Sequence, residues 1–527
     1  MFSGRSALLL ILILTTVVRI SILNWGLPSD WNSRFSYNID ESTYLAHCAN
    51  LDLNSFDLDP DIGKQHPHLS TYYTAFNLVL GKTIGLYELP SSKINLISNP
   101  TNYGAIIRFQ RIMWGLIPGL LLVLISYLVG KELKGKFLAI LLALGAAFSP
   151  TFLINGNYGV ENTVVPLLFA IAFLFLLKWF KQNKDKYLYW AGVSLGVCCA
   201  IKLSGVLIAV MIVSAWLAHR KLNWKNFKTL CLTGFISILS FCILSPYYLL
   251  NFLTKKEPLN PLEVEASPLN FFKFDLDFII TNILNLGKVT ALQVGILFLV
   301  LGLLGLKKTL FDKKYFPILM MMICFYIISS FVNIVMGSRL TPVAWAWVVL
   351  GGSFIANLYE KKKSLAKVLI SALIISLGTY SYAVVDYFNH QNTRELASQF
   401  LLSKYQNQDS ITIGVNTTPS YAYPNLVSHQ WTKNKYNISF FEGIPECSLQ
   451  VYENQNSKND WLVQHQPELM LVTLIEKNIS NEGYQSWQNA TDQNGGYSLS
   501  KYYPKYANFG LDNLTIYEWD LYIYQRN

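Results

Sequence analysis

Few residues in this chain have types and spacing that can do chemistry. Asp40 and Glu41 are adjacent carboxylates in Asn38-Ile39-Asp40-Glu41, just beyond an apolar opening stretch. Near a low-dielectric boundary such a carboxylate titrates closer to neutrality and can act as a general base. The same pair also suits the start of a helix, with Asp as cap and acids in the first turn. His66 and His68 flank Pro67. At i, i+2 they do not share a helix face, so these two alone do not make a zinc site. Pro67 suits a first helical turn, and the loop before it can bring His66 beside Asp40. Glu161, in Asn157-Tyr158-Gly159-Val160-Glu161-Asn162, opens an apolar run. An acid there either faces water at a helix N-terminus or marks a polar pathway at a membrane edge. Lys202 and Arg339 are cations between apolar runs. Each can snorkel to an interface, or the two can hold an anionic headgroup, Arg through its bidentate fork.

The elements that position these residues are membrane helices. Of 527 residues, 52% are hydrophobic and 14% charged, against about 25% charged in soluble chains. The apolar residues gather in runs of bilayer-crossing length, which takes roughly 20 residues of helix. The first run, Ala7 to Leu23, lacks a small-x-small cleavage site and reads as an uncleaved span. Ten more follow at about 108–130, 136–154, 160–179, 188–203, 204–218, 229–250, 290–306, 315–336, 341–358 and 366–385. Lys202-Leu203-Ser204-Gly205 splits 188–218 into two by a tight reversal.

Charge placement tests this count. With the N-terminus inside, the lysine clusters at 131–136, 181–186, 220–228, 307–314 and 361–367 all fall on the inner side. The short outer loops 155–159 and 337–340 hold one basic residue, Arg339. Treating 188–218 as one span breaks the pattern from residue 219 onward. The net charge of +10 is thus a topology signal, and it argues against a nucleic-acid partner. Loops 24–107 and 251–289 then face outside, as does the polar segment 386–527. That segment carries strand-like runs at Ile411–Val415, Ile438–Phe441, Leu469–Leu474 and Leu521–Tyr524 and a helical stretch at Thr393–Lys404. It reads as a small α/β domain. Sequons stand at Asn416, Asn437, Asn478, Asn489 and Asn513. Five of the seven cysteines lie in apolar runs; Cys48 and Cys447 are far apart, and nothing in the sequence pairs them. No internal repeat, P-loop or broken mid-span helix is visible.

In order along the chain, the motifs resemble the C-type glycosyltransferases, especially the family 39-like branch of protein O-mannosyltransferases and lipid A aminoarabinose transferases. Asp40-Glu41 is similar to that branch's Asp-Glu motif. Gln65-His66-Pro67-His68-Leu69-Ser70-Thr71-Tyr72-Tyr73 is similar to its H-P-P-L segment, with His68 in place of the second Pro. Glu161 stands where the family often has an acid. Ala200-Ile201-Lys202-Leu203-Ser204-Gly205 is similar to its T-K-x-x-G reversal, and Ser245-Pro246-Tyr247-Tyr248-Leu249-Leu250 to its N-P-Y-x-x-L span end. Ser338-Arg339-Leu340-Thr341-Pro342 is similar to R-Y-x-x-P, with Leu340 in place of the aromatic.

The resemblance covers residues 1 to about 385. It implies an α-helical polytopic membrane protein of about eleven transmembrane helices with the C-type glycosyltransferase fold. Residues 386–527 add the extracytoplasmic α/β domain. It implies a polyprenyl-phosphate sugar donor and an acceptor hydroxyl on a lipid, glycan or protein, with inversion at the sugar. Asp40 is then the base and Glu41 its support, Lys202 and Arg339 neutralise the donor phosphate, and Glu161 and His66 orient the acceptor. A divalent metal ion held by the acids is allowed, not required. The sugar, hexose or pentose, stays open. A transporter or flippase for lipid-linked glycans and a non-catalytic assembly subunit are the alternatives.

Overall fold

The structure is a computed structural model. It describes residues 4–29, 36, 38–51, 58–60, 67–90, 99–219, 224–254, 275–310, 312–331, 337–405, 410–415, 437–440, 469–474, 497–503 and 520–526. The chain divides into two compact units. One comprises 1–23, 43–83 and 108–386; the other comprises 24–42, 84–107 and 387–527.

The first unit is a helical bundle. Six described helices are long and apolar enough to cross a membrane: Gly4–Ile22, Pro100–Lys134, Glu161–Gln182, Asn226–Leu244, Ser338–Lys361 and Lys363–Leu401. The protein is an integral membrane protein of the multi-pass kind. A seventh crossing is counted if Leu276–Val294 and Ile296–Thr309 form one span; the pair is bent by 112°. The hinge is Gly295, whose φ of 87° lies in a region that side chains resist. The sequence gives no sign of a broken helix, and this bend corrects that expectation. A single Gly within an apolar run is too weak a signal.

Four further apolar helices are shorter: Lys136–Phe148, Lys186–Ile201, Leu203–His219 and Phe316–Ser330. At roughly 1.5 Å per residue they fall short of a bilayer core of about 30 Å. By length and composition, then, six or seven of the expected eleven spans are found among the described residues. The shortfall has local causes. Pro150 starts a new short helix, Pro150–Asn155, directly after Ser149 leaves the helical region. Lys202, in an extended conformation, divides the 186–219 stretch as the charge pattern requires.

Burial separates lipid-facing from central helices. In the first helix Leu9, Leu10, Ile13, Leu14, Val17 and Ile20 are exposed, an apolar face for hydrocarbon. Most of the span Ser338–Lys361 is buried, from Leu340 to Gly352 without a break, so it runs through the centre of the bundle. Trp345 within it is fully buried and donates from Nε1 to Ser126 Oγ at 3.0 Å, meeting the need of a buried indole for a partner.

Among the described residues of the second unit, five strands form one mixed sheet in the order β2-β1-β3-β5-β4. They are β1 Ser410–Val415, β2 Asn437–Phe440, β3 Leu469–Leu474, β4 Tyr497–Tyr503 and β5 Asp520–Arg526. β1 pairs parallel with β2 and β3, while β5 pairs antiparallel with β3 and β4. Helix Thr393–Tyr405 accompanies them, and its Lys404 donates to Ser500 Oγ and Gln525 Oε1. Four strands lie where the sequence shows apolar runs. β4, Tyr-Ser-Leu-Ser-Lys-Tyr-Tyr, is missed because Leu499 is its only aliphatic residue and it forms no apolar run.

Candidate functional site

The centre of the site is Glu161. Val160 is extended, and the chain then makes one 3₁₀ turn, Glu161–Thr163, before helix Val164–Gln182. That turn buries the carboxylate at the mouth of the bundle. Its Oε1 accepts from Lys202 Nζ at 2.8 Å, and its Oε2 accepts from the Tyr44 hydroxyl at 2.7 Å. Lys202 Nζ also donates to Asn162 Oδ1 at 3.2 Å. A buried carboxylate with an ammonium and a phenol on its two oxygens is held in one orientation.

Lys202 reaches Glu161 because helix Lys186–Ile201 stops beneath it. The Lys202 amide donates to Cys198 O at 2.8 Å, and its carbonyl accepts from Gly205 N at 2.9 Å. A Cβ on Gly205 would lie 2.7 Å from the Cys198 carbonyl carbon. Glycine is therefore what lets the reversal fold back onto the helix it leaves. Arg339 stands in the 3₁₀ turn Gly337–Leu340, with an exposed side chain. Two residues on, Thr341 Oγ1 donates to Asn162 O at 3.3 Å. The turn that carries Arg339 is thus tied to the turn that carries Glu161.

Two further motifs meet in this unit. His68 is fully buried, and its amide donates to Ser245 Oγ at 2.8 Å. Its ring packs edge-on against Tyr72 and Tyr248, at centroid distances of 6.2 and 5.8 Å. The histidine at the second proline position of the H-P-P-L pattern therefore packs against the span end Ser245–Leu250. His66, read as an acceptor-orienting residue, lies outside the described residues. Nearby, Asn251 Nδ2 donates to both Asp59 oxygens at 3.0 Å. Burial first, then the nearness of Asp59 and Tyr247, pushes the Tyr72 phenol up from its ordinary pKa.

Asp40 and Glu41 belong to the second unit. Helix Ile39–Cys48 begins with Asn38, whose Oδ1 accepts from the Asp40 amide at 3.1 Å; Asn38 O accepts from the Glu41 amide at 3.2 Å. Asn38 is the cap, so Asp40 does not fill the capping role that its type allows. Asp40 is exposed and Glu41 is buried, and the Ser42 hydroxyl bonds the Tyr103 hydroxyl at 2.9 Å.

The bundle thus joins Glu161 and Lys202 directly and ties Arg339 to them through Thr341. Sequence reasoning assigned Lys202 to a phosphate and did not pair it with Glu161. It also missed Tyr44 and Asp59. Tyr44 has a retrievable signal, three residues beyond Glu41 on a short helix. Asp59 has none, because its partner Asn251 is 192 residues away. Among the described residues, no three His, Cys, Asp or Glu side chains gather to hold a metal ion.

Residues 61–255 match the family model described as dolichyl-phosphate-mannose-protein mannosyltransferase. A search of curated protein sequences finds no match. Among solved structures, the apo oligosaccharyltransferase of Archaeoglobus fulgidus is similar at 14% identity with a TM-score of 0.52, covering 94% of this chain and 73% of that one. ArnT from Cupriavidus metallidurans, bound to undecaprenyl phosphate, is similar at 11% identity with a TM-score of 0.49, covering 98% of this chain and 97% of that one. Residues 61–255 thus match the mannosyltransferase family model that the motifs resemble, and the chain shares its fold with the oligosaccharyltransferase.

Proposed function

We propose that this protein is an integral-membrane glycosyltransferase. It moves a sugar from a polyprenyl-phosphate donor to an acceptor hydroxyl on the extracytoplasmic side. The observation that carries the reading is the buried Glu161–Lys202–Tyr44 cluster, whose acid and lysine lie inside the matched stretch 61–255. The fold shared with an oligosaccharyltransferase supports it.

The chemistry balances with one base. The exposed Asp40 takes the proton of the acceptor hydroxyl as the acceptor oxygen attacks C1 of the sugar. The bond from C1 to the phosphate oxygen breaks in line, and the polyprenyl phosphate leaves with the electron pair, inverting the anomeric centre. Glu41 supports Asp40. Arg339 and Lys202 offset the charge that builds on the leaving phosphate. Glu161 holds Lys202 in place and, with His66, orients the acceptor; acidic groups here are also the ones that would ligate a divalent cation. Sugar and acceptor class, whether lipid, glycan or protein, are set by contacts beyond this set.

The topology that goes with this reading has eleven crossings, an inner N-terminus and outer loops 24–107 and 251–289. Residues 1–385 form the transferase-like part and 386–527 an extracytoplasmic α/β domain. The inner placement of every lysine cluster supports it. Mass spectrometry of glycolipids and glycoproteins from cells with and without the gene tests the function. Loss of one hexose or pentose from one acceptor class is expected, and identical glycan profiles would overturn the proposal.

The bend of 112° at Gly295 favours a second reading, a transporter or flippase for lipid-linked glycans, since broken helices line many transport sites. Transport of a lipid-linked glycan by the Asp40→Asn variant in reconstituted vesicles separates the two.

A further inference from the structure

Helix Val164–Gln182 runs from the Glu161 turn to the opposite end of the bundle, where a second feature lies. A cleft of about 580 Å³ is lined there by Phe180, His219, Lys308, Asp312, Lys313 and Lys314. A second cavity of about 280 Å³ shares Asp312 and Lys313 with it; its other walls are Leu217, Ala218, Leu310 and Phe316. A basic mouth therefore opens beside an apolar slot.

The charges in the mouth are unbalanced. Lys134 and Lys181, at helix ends on the same side, are paired with Glu360 and Glu132. Among the described residues none of Lys308, Lys313 and Lys314 forms an ion pair. The carboxylate in the cleft is already engaged: Asp312 Oδ1 accepts from the Lys314 amide at 3.0 Å, and its carbonyl accepts from Tyr315 N at 2.9 Å. Asp312 thus shapes the turn before helix Phe316–Ser330. His219 is fixed as a wall, edge-on to Trp179 and Phe180, with Nε2 3.3 Å from Asn183 Oδ1. Three like charges, Lys308 in the last turn of helix Ile296–Thr309 and Lys313 and Lys314 on the turn that Asp312 shapes, repel one another, and an anion between them removes that cost.

We propose that this cleft binds the headgroup of an anionic membrane phospholipid, with the start of its acyl chains in the slot walled by Leu217, Leu310 and Phe316. The basic mouth fits the phosphate. The apolar slot beside it selects an amphiphile over a free anion. Its place at the ends of the membrane helices puts the headgroup where a leaflet's phosphates lie. The site is separate from the Glu161 cluster and does not depend on the proposed reaction.

The test uses the full chain purified in mild detergent, with dioleoyl phosphatidylglycerol, dioleoyl phosphatidylcholine or inorganic phosphate added. Retained lipid is read by native mass spectrometry and affinity by thermal shift. Phosphatidylglycerol is expected to bind in preference to phosphatidylcholine. The exposed-lysine variant Lys308→Gln/Lys313→Gln/Lys314→Gln is expected to lose about tenfold or more in phosphatidylglycerol affinity. The control Lys361→Gln/Lys362→Gln/Lys363→Gln removes equal charge at the same end and is expected to keep wild-type affinity. Unchanged phosphatidylglycerol binding in the cleft variant would overturn the proposal. So would an equal loss in the control. A thermal shift with inorganic phosphate alone that matches the lipid would replace the lipid site with a free-anion site.

Discussion

Lys202 Nζ stands 2.8 Å from Glu161 Oε1, with the lysine side chain 25% exposed and the glutamate 8%. In so dry a setting each charge is tolerable mainly because the other is present. Glu161→Gln leaves the Lys202 ammonium without its counter-charge, and Lys202→Met leaves the Glu161 carboxylate with the Tyr44 hydroxyl but without its counter-charge. Each single variant is expected to cost about 2–4 kcal/mol, discounted for the partly wet lysine. The double variant Glu161→Gln/Lys202→Met is expected to be less destabilised than the sum of the singles. Thermal unfolding in detergent measures this cycle, and strict additivity would mean that the pair is not coupled.

Asp40→Asn separates capping from catalysis. Because Asn38 Oδ1 takes the Asp40 amide at 3.1 Å, the helix start does not need the Asp40 carboxylate. Expression, insertion and unfolding temperature are expected to stay at wild-type values. Transfer from a polyprenyl-phosphate sugar is expected to fall about a hundredfold to ten-thousandfold, the usual worth of a general base. Asn38→Ala has the opposite signature, a loss of about 1 kcal/mol in stability with its largest effect off the chemical step. Full turnover in Asp40→Asn would remove the base assignment.

How much of this was legible in the sequence depends on how local each feature is. The reversal at Lys202–Gly205 could be read, because a charge parity and a Lys-Leu-Ser-Gly string sit in one short window. The start of the Glu161 turn could be read for the same reason. The pairing of Lys202 with Glu161 could not, since 41 residues and a helical hairpin lie between them. The same holds for Tyr44, which meets Glu161 across 117 residues. Span boundaries are harder to read for another reason. Hydropathy sums over a window and is blind to the break at Ser149-Pro150 and to the bend at Gly295, where backbone geometry divides a continuous apolar run.

Arg339 offers an exposed guanidinium on a turn tied to Asn162 through Thr341. If it holds the donor phosphate in the ground state and the transition state alike, Arg339→Ala raises KM for the lipid donor by roughly tenfold and leaves kcat nearly unchanged. Lys is a weaker substitute than Arg at a bidentate site, so Arg339→Lys is expected to fall between the two. Steady-state kinetics with purified donor read both constants, and an unchanged donor KM would end the phosphate role.

The Cys48 thiol donates to Thr71 O at 3.4 Å, and burial pushes its pKa up to about 12. The thiol form therefore persists well above neutral pH. Maleimide labelling of Cys48 in the folded protein is expected to be negligible at pH 7–8 and to rise only in strongly alkaline buffer. Peptide mapping after labelling, with and without denaturant, checks this. Rapid labelling at pH 7 would mean that helix Ile39–Cys48 opens readily.

The loop that delivers Glu161 rests on a π-helical turn, Ile112–Leu116, and Gly115 is its contact point. A Cβ on Gly115 would run into Gly156 O and stand 3.1 Å from Tyr158 O. These are backbone atoms, which cannot swing aside as a side chain can. Gly115→Ala is therefore expected to cost about 2–3 kcal/mol through overpacking. It should also displace the 156–160 segment and so lower transfer. Gly234→Ala is the matched control, because a Cβ there meets nothing within 4 Å. In a helix interior that change is expected to be neutral or stabilising by up to about 1 kcal/mol. Unfolding temperatures of the two variants, measured side by side in the same detergent, decide the matter. Equal stability would mean that the π-turn yields, and that Glu161 is held by Lys202 and Tyr44 without support from the turn beneath its loop.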